Sequence, residues 1–254
     1  ETAWDGEWYI YAFTGTGKPV GSAKNNEGKL FLNAQTWAIF TGIVDDDAKI
    51  EKMYKAIDKY LNTPIGPMLL YPPFVYEGKE VGQTWRQIPF AGGNGSIYLH
   101  AASFKLYADL TCGKYDEATE TFLRLLPNNP DNSDSRRTNE PYCVGNSYFG
   151  IGHERFGQNI SSWFTATANW MLNAGFNELL GVKADYDGLI VKPKVPSGWN
   201  SYQLVRKFRN TIYHFNFVRV NCDKEKGIWV DNVKIQGNRI DIQHKDEVNV
   251  LVHY

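Results

Sequence analysis

The sequence predicts an α+β chain, with helices joined by long loops over the first two-thirds and a β domain after Gly181. Three observations carry this. Apolar residues recur at helical spacing in successive segments before residue 130, Pro and Gly cluster between those segments, and beyond Gly181 apolar and β-branched residues alternate with polar ones. The boundary falls at 181/182, giving a helical region over 1–181 and a β domain over 182–254. Helices of this length with long connecting loops suit an α/α toroid, in which loops at one end build a cleft.

Residues 1–30 are turn-rich, punctuated by Gly6, Gly15, Gly17, Gly21 and Gly28. They carry Trp4, Trp8, Tyr9, Tyr11 and Phe13, which either pack a long loop on a core or border a sugar site. Asp5 and Glu7 lie among these rings, and Asp5 is a candidate acceptor for a hydroxyl. Leu32, Gln35, Thr36, Ile39 and Phe40 share one helical face, and Gly42 stops that helix. Asp45 to Asp47 place acidic groups at the start of the next, whose buried stripe is Ile50, Met53, Tyr54, Ile57 and Tyr60 or Leu61. Residues 63–95, with Pro64, Pro67, Pro72, Pro73 and Pro89, read as a long loop of the kind that often carries function.

Gly92 to Ser96 leads into a helix predicted over 97–110, with His100 in its first turns, and Gly113 closes it. Another helix covers 116–126 and ends at Pro127; a polar loop with Arg136, Arg137 and Glu140-Pro141-Tyr142 then runs to Gln158. In the β domain, strands are predicted at Gly188 to Pro193, Tyr202 to Phe208, Thr211 to Val220, Gly227 to Val233, Lys234 to Gln236 and Val248 to Val252. His214, His244 and His253 lie among them without metal-like spacing.

An apolar fraction of 43% is enough for a sizeable core, and a net charge of -1 argues against a nucleic-acid binder or a basic membrane-surface protein. No apolar run is long enough to span a bilayer, and no leader-like stretch is present. Cys112, Cys143 and Cys222 are far apart and odd in number, without CxxC or Cys/His spacing, so free thiols in a reducing, cytoplasmic compartment and no metal site are expected. Glu1 is not Met, and Trp4-Asp5-Gly6-Glu7-Trp8-Tyr9 looks like the interior of something, so a fragment of a longer protein is expected.

The most suggestive stretch is Ser161 to Met171. Ser161 or Ser162 is predicted to cap an apolar helix, and Thr165, Ala166 and Thr167 offer a hydroxyl and amides near its positive end, which suits phosphate. Trp163 and Trp170 flank it as candidate sugar-stacking faces. An ordinary capped core helix explains the same residues. His100 likewise reads either as a core histidine or as a phosphate or hydroxyl ligand.

Several segments together resemble the sugar phosphorylases of glycoside hydrolase family 94, the group of cellobiose, cellodextrin, chitobiose and cellobionate phosphorylases. They are Trp4 to Tyr9, Gly28 to Ala38, Gly93-Asn94-Gly95 through His100, Glu140-Pro141-Tyr142, Ser162 to Ala166, Leu180-Gly181, Tyr186 to Leu189, Pro193, Pro196, Trp199 and Arg206 to Arg209. The resemblance implies the C-terminal part of an (α/α)6 barrel followed by a small β-sandwich. It implies phosphorolysis of a β-linked disaccharide or oligosaccharide to a sugar 1-phosphate with inversion, inorganic phosphate serving as co-substrate without a cofactor. Phosphate is already an ionised nucleophile, so an acid suffices and no general base is needed.

Carried over by position, the resemblance makes His100, Thr165 and Ala166 phosphate ligands and Asn146 and Asn94 substrate contacts. Ala166 stands where the family usually has glycine, Asn146 where it usually has glutamine, and Gly93 where it commonly has glutamate. The family's general-acid aspartate lies in an Asp-Trp-Asn-Asp-like motif upstream of Trp4, and nothing here matches it, so no catalytic residue is assigned and the chain alone is expected to be inactive. A homodimer is implied for the complete protein. Two other readings stay open at this point: an inverting hydrolase on an α/α barrel, which needs two carboxylates across a cleft, and a non-catalytic carbohydrate-binding fragment.

Overall fold

In the computed structural model, which describes residues 2–76 and 78–254, helices form where the apolar spacing places them. Helix α1 (Leu32–Phe40) buries Leu32, Gln35, Thr36, Ala38 and Ile39. It is preceded by three short strands, β1 (Ala12–Phe13), β2 (Pro19–Val20) and β3 (Leu30–Phe31). Helix α2 (Asp47–Tyr60) starts at Asp46, whose carboxylate accepts from the Ala48 and Lys49 amides and so satisfies two donors left free at a helix start. Strand β4 (Leu70–Tyr71) pairs with β3 inside the long loop, in which Glu77 lies outside the described residues, as does Glu1.

The predicted 97–110 helix is shortened at its front. Ile97–Tyr98 is strand β5, and helix α3 runs over Leu99–Thr111. Helix α4 (Tyr115–Leu125) follows and packs with α1 against α3. After a four-residue helix, α5 (Asp134–Arg137), strands β6 (Ser147–Tyr148) and β7 (Asn159–Ser161) join β5 in one small sheet. Helix α6 (Thr167–Asn173) runs on into a π-helical turn at Ala174–Leu179.

Two compact units result, one ending at Met171 and the other comprising Leu172–Tyr254. The first has a core of Leu30, Leu32, Met53, Ile57, Leu61, Ile97, Leu99 and Ala102 among others. In its aromatic opening segment Trp4, Trp8 and Tyr9 pack on that core, whereas Tyr11 and Phe13 are exposed. The Trp8 indole donates to the Gly21 and Lys29 carbonyls at 3.0 and 3.1 Å, and Tyr11 stacks on Phe31 at 4.2 Å. Asp5 is structural too, since it accepts from the Glu7, Trp8 and Ala23 amides at 3.0, 3.1 and 2.6 Å. Partial burial pushes that carboxyl up, but these amide bonds outweigh it and hold it below the usual range. The expectation that Asp5 serves a ligand hydroxyl is therefore corrected: its oxygens already order the loop.

The second unit is a two-sheet domain. Strands β8 (Val182–Ala184), β9 (Gly188–Val191) and, later in the chain, β14 (Arg239–Asp241) form a three-stranded antiparallel sheet in the order β14-β9-β8. Strands β10 (Ser201–Phe208), β11 (Thr211–Val218), β12 (Gly227–Val230), β13 (Val233–Ile235) and β15 (Glu247–His253) form the other, ordered β10-β11-β15-β12-β13. Only the β11–β15 pairing in that sheet is parallel. Alternate residues point inward, so Val182, Leu189 and Ile240 of one sheet share a buried cluster with Leu204, Phe215, Phe217, Val250 and Val252 of the other. The chain is thus a mixed helix and sheet protein of the α+β class.

Candidate anion site

Helix α3 begins without a side-chain cap, and its first amide is satisfied at long range: Leu99 N–H donates to the Asn146 carbonyl at 3.1 Å. His100 follows in the first turn. Its ring lies 4.9 Å from Phe104 and 6.0 Å from Trp170, and its Nε2 is shielded from solvent without a hydrogen-bond partner among the described residues. Burial lowers the pKa of the imidazole, so the ring is neutral at neutral pH and offers one N–H and one lone pair.

Asn146 links this turn to the segment around Thr165. Its backbone amide donates to the Ser161 carbonyl at 2.8 Å, which registers the loop behind β7. Its side-chain amide donates to the Phe164 carbonyl at 2.6 Å, immediately before Thr165, and Oδ1 accepts from the Ser147 hydroxyl at 3.1 Å. Trp170 closes the arrangement from the other side. It meets Phe104 at 5.0 Å and Tyr107 at 5.4 Å edge-on, and its carbonyl accepts from the Tyr107 hydroxyl at 3.4 Å. Asn146 therefore touches both segments, through Leu99 next to His100 and through Phe164 next to Thr165, and Trp170 of α6 stands 6.0 Å from the His100 ring.

Within that segment the hydroxyl assignment shifts. Ser161 belongs to β7, and Ser162 Oγ accepts from Asn159 Nδ2, so neither caps a helix. Thr165 does: its Oγ1 accepts from Thr167 N–H at 3.1 Å and shares a 2.5 Å hydrogen bond with Thr167 Oγ1. Ala166 is exposed, its carbonyl accepts from Trp170 N–H at 3.2 Å, and its amide has no acceptor among the described residues. The left-handed residue of the loop is Trp163, with φ 63°, whereas Ala166 is not left-handed. Alanine consequently fits where a glycine is expected.

Trp163 and Trp170 divide the roles that sequence reading gave to both. Trp170 is packing; Trp163 is 62% exposed, stands 5.8 Å from the exposed Tyr142, and donates from its indole to Glu140 Oε1 at 3.0 Å. The hydrogen bonds from the Glu140 backbone amide and the Trp163 indole hold that carboxyl below its usual range. Glu140 was visible only as part of a motif, with no local cue to its partner.

Asn94 stands apart. It is fully buried, its Oδ1 accepts from Phe74 N–H at 2.7 Å, and its Nδ2 donates to the Phe74 and Gln87 carbonyls at 2.9 and 3.0 Å. Both of its donors are occupied by backbone, so it braces the 72–95 loop instead of facing a ligand, which corrects the substrate-contact expectation. Among the described residues no group of three or more His, Cys, Asp or Glu is arranged to hold a metal ion, and no helix is long and apolar enough to cross a membrane. Cys112, Cys143 and Cys222 are free thiols.

The helical region of this α+β chain, with its paired helix starts, is that of a glycosyl hydrolase catalytic domain. Residues 1–181 match the family described as the Glycosyl hydrolase 94 superfamily, catalytic domain, and the chain belongs to that family. It is 39% identical over 91% of its length to 3-O-beta-D-glucopyranosyl-beta-D-glucuronide phosphorylase of Paenibacillus borealis, covering 29% of that protein. It is 32% identical over 92% of its length to solabiose phosphorylase of the same organism, covering 31% of that protein. To N,N'-diacetylchitobiose phosphorylase of Vibrio furnissii it is 30% identical over 94% of its length, covering 30%. The chain thus spans about three-tenths of the length of these curated relatives.

Proposed function

We propose that this chain is the phosphate-holding part of an inverting β-glucoside phosphorylase that converts a β-linked disaccharide or oligosaccharide to a sugar 1-phosphate. The observation that carries the reading is the unpartnered Nε2 of His100, tied through Leu99 and Asn146 to the Thr165–Ala166 segment with its free amide. Imidazole, hydroxyl and amide are neutral donors, which hold an anion without neutralising its nucleophilic oxygen. Asn146 positions the segment and lies beside the donor sugar. The three relatives described above are all named as phosphorylases, which supports the same chemistry.

In this reading phosphate attacks the anomeric carbon from the face opposite the leaving oxygen, and an aspartic acid outside this chain protonates that oxygen. The chain alone is then inactive, phosphate is the co-substrate, and no cofactor takes part. Residues 1–181 contribute part of an (α/α)6 barrel and 182–254 a β-sandwich, in a homodimeric cytoplasmic enzyme whose reducing surroundings suit its free thiols.

The test uses the complete enzyme. His100→Ala and Thr165→Ala are expected to raise the phosphate KM and lower kcat. Unchanged phosphate KM and turnover in both variants overturns the assignment. Sugar release that proceeds equally without phosphate overturns phosphorolysis itself.

A further inference from the structure

The outward face of the five-stranded sheet holds a hollow of about 600 Å³, wholly within the second unit. The cross-strand register aligns Gln203, Asn216, Leu251 and Trp229 in one row across β10, β11, β15 and β12. Two residues along, Val205, His214 and Asn249 form the next row. With strands about 4.8 Å apart, the first row runs roughly 14 Å, the length of a short run of sugar rings.

The chemistry of this face is specific. Trp229 is half-buried and anchored, with Lys234 Nζ 5.0 Å from its ring centre and the His253 ring 4.9 Å away at 60°. A fixed aromatic loses little freedom on binding. The side-chain amides of Gln203, Asn216 and Asn249 are exposed and have no hydrogen-bond partner among the described residues. Each presents a donor beside an acceptor, which matches neighbouring sugar hydroxyls. Among the lining residues Glu247 is the single carboxylate and there is no Lys or Arg; Glu247 stands 3.5 Å from His214 Nε2. The one ammonium beside the lining, Lys234 Nζ, lies against the Trp229 ring, and the polar groups of the lining itself are mostly uncharged amides, which suit a neutral polyhydroxyl ligand.

We propose that this face is a second, non-catalytic groove for a neutral oligosaccharide, with Trp229 as the platform for a sugar ring and Gln203, Asn216 and Asn249 as its hydroxyl ligands. The choice of a β-gluco chain as the probe rests on the phosphorolytic reading; the neutral polyhydroxyl class rests on the lining alone.

The experiment takes the full-length enzyme through native gels containing hydroxyethyl cellulose and titrates it with cellopentaose. Wild type is expected to be retarded, and Trp229→Ala to weaken binding about tenfold or more. Asn216→Ala, at an exposed position that folding does not need, is expected to weaken it several-fold. His100→Ala, which is expected to impair phosphorolysis, is expected to keep the retardation, so failure of the groove and failure of the phosphate site are told apart. Absence of retardation in wild type overturns the proposal, as does retardation that both groove variants retain. A change in subunit association in Trp229→Ala with no effect of sugar also overturns it, by marking the face as a contact between copies.

Discussion

The side-chain amide of Asn146 donates to the carbonyl of Phe164 at 2.6 Å, while the Asn146 carbonyl receives the first amide of α3 from Leu99 at 3.1 Å. One loop residue thereby fixes the distance between two helix starts. Preorganised donors hold an anion better than donors that must be gathered on binding, because less ordering entropy is lost at that step.

Asn146→Ala should therefore act on phosphate through Thr165. Removing one hydrogen bond of about 1 kcal/mol corresponds to roughly a fivefold rise in phosphate KM. Asn146→Gln, with the same amide on a longer arm, should recover part of it. Steady-state phosphorolysis by the complete enzyme at varied phosphate measures both, and a KM unchanged in the alanine variant refutes the coupling.

How far this was legible in the sequence differs by element. Helices α1 to α4 were, because each carries an apolar stripe bounded by Gly or Pro. Ile97–Tyr98 looks helical in the sequence because a short apolar run has no period of its own, and only its pairing with Ser147–Tyr148 makes it a strand. The three-residue strands β8 and β14 were missed for the same reason: Arg239 and Asp241 look like turn residues until β9 pairs with them. The hydroxyl that meets the helix start is Thr165 and not Ser161 or Ser162, because Ser161 of β7 pairs with Ser147 of β6, a long-range contact with no local sign. Residue types at His100 and Thr165 pointed to an anion, but the partner that joins them, Asn146, is a loop asparagine like many others.

Buried charge in the first unit predicts a second outcome. Lys105 and Asp109 are 4% and 0% exposed, and Lys105 Nζ lies 2.7 Å from Asp109 Oδ2 and 3.4 Å from Thr121 Oγ1. Burial pushes the Asp109 carboxyl up, against the opposing pull of Lys105. Asp109→Ala leaves an ammonium without its partner and should cost about 3–5 kcal/mol in denaturant unfolding, whereas the double change Lys105→Met with Asp109→Leu should cost markedly less. Equal losses in the two variants contradict the pairing.

Gly181 adopts φ +70°, and a Cβ there would lie 2.2 Å from the Lys192 carbonyl oxygen. The two segments are locked at that spacing, since Lys192 N–H donates to the Gly181 carbonyl at 2.7 Å. Gly181→Ala combines a left-handed alanine with a backbone collision and should destabilise by at least about 2 kcal/mol. Thermal unfolding checks it; a melting temperature equal to that of wild type contradicts the close approach.

His100 gives a pH-dependent prediction whose sign follows from its burial. The folded-state pKa is lowered below 6.5 because desolvation disfavours the imidazolium. The unfolded chain binds that proton more readily, so this contribution to stability is complete above about pH 6.5 and is lost as pH falls through the folded pKa. His100→Gln should flatten that part of the acid-side decline in melting temperature below about pH 6.5 while leaving the alkaline side alone. If phosphate meets His100 as proposed, it should raise the melting temperature of wild type and not of His100→Gln, because a ligand of the folded state stabilises it. A variant whose pH profile and phosphate response both superimpose on those of wild type shows that the ring neither titrates in the folded protein nor meets the anion.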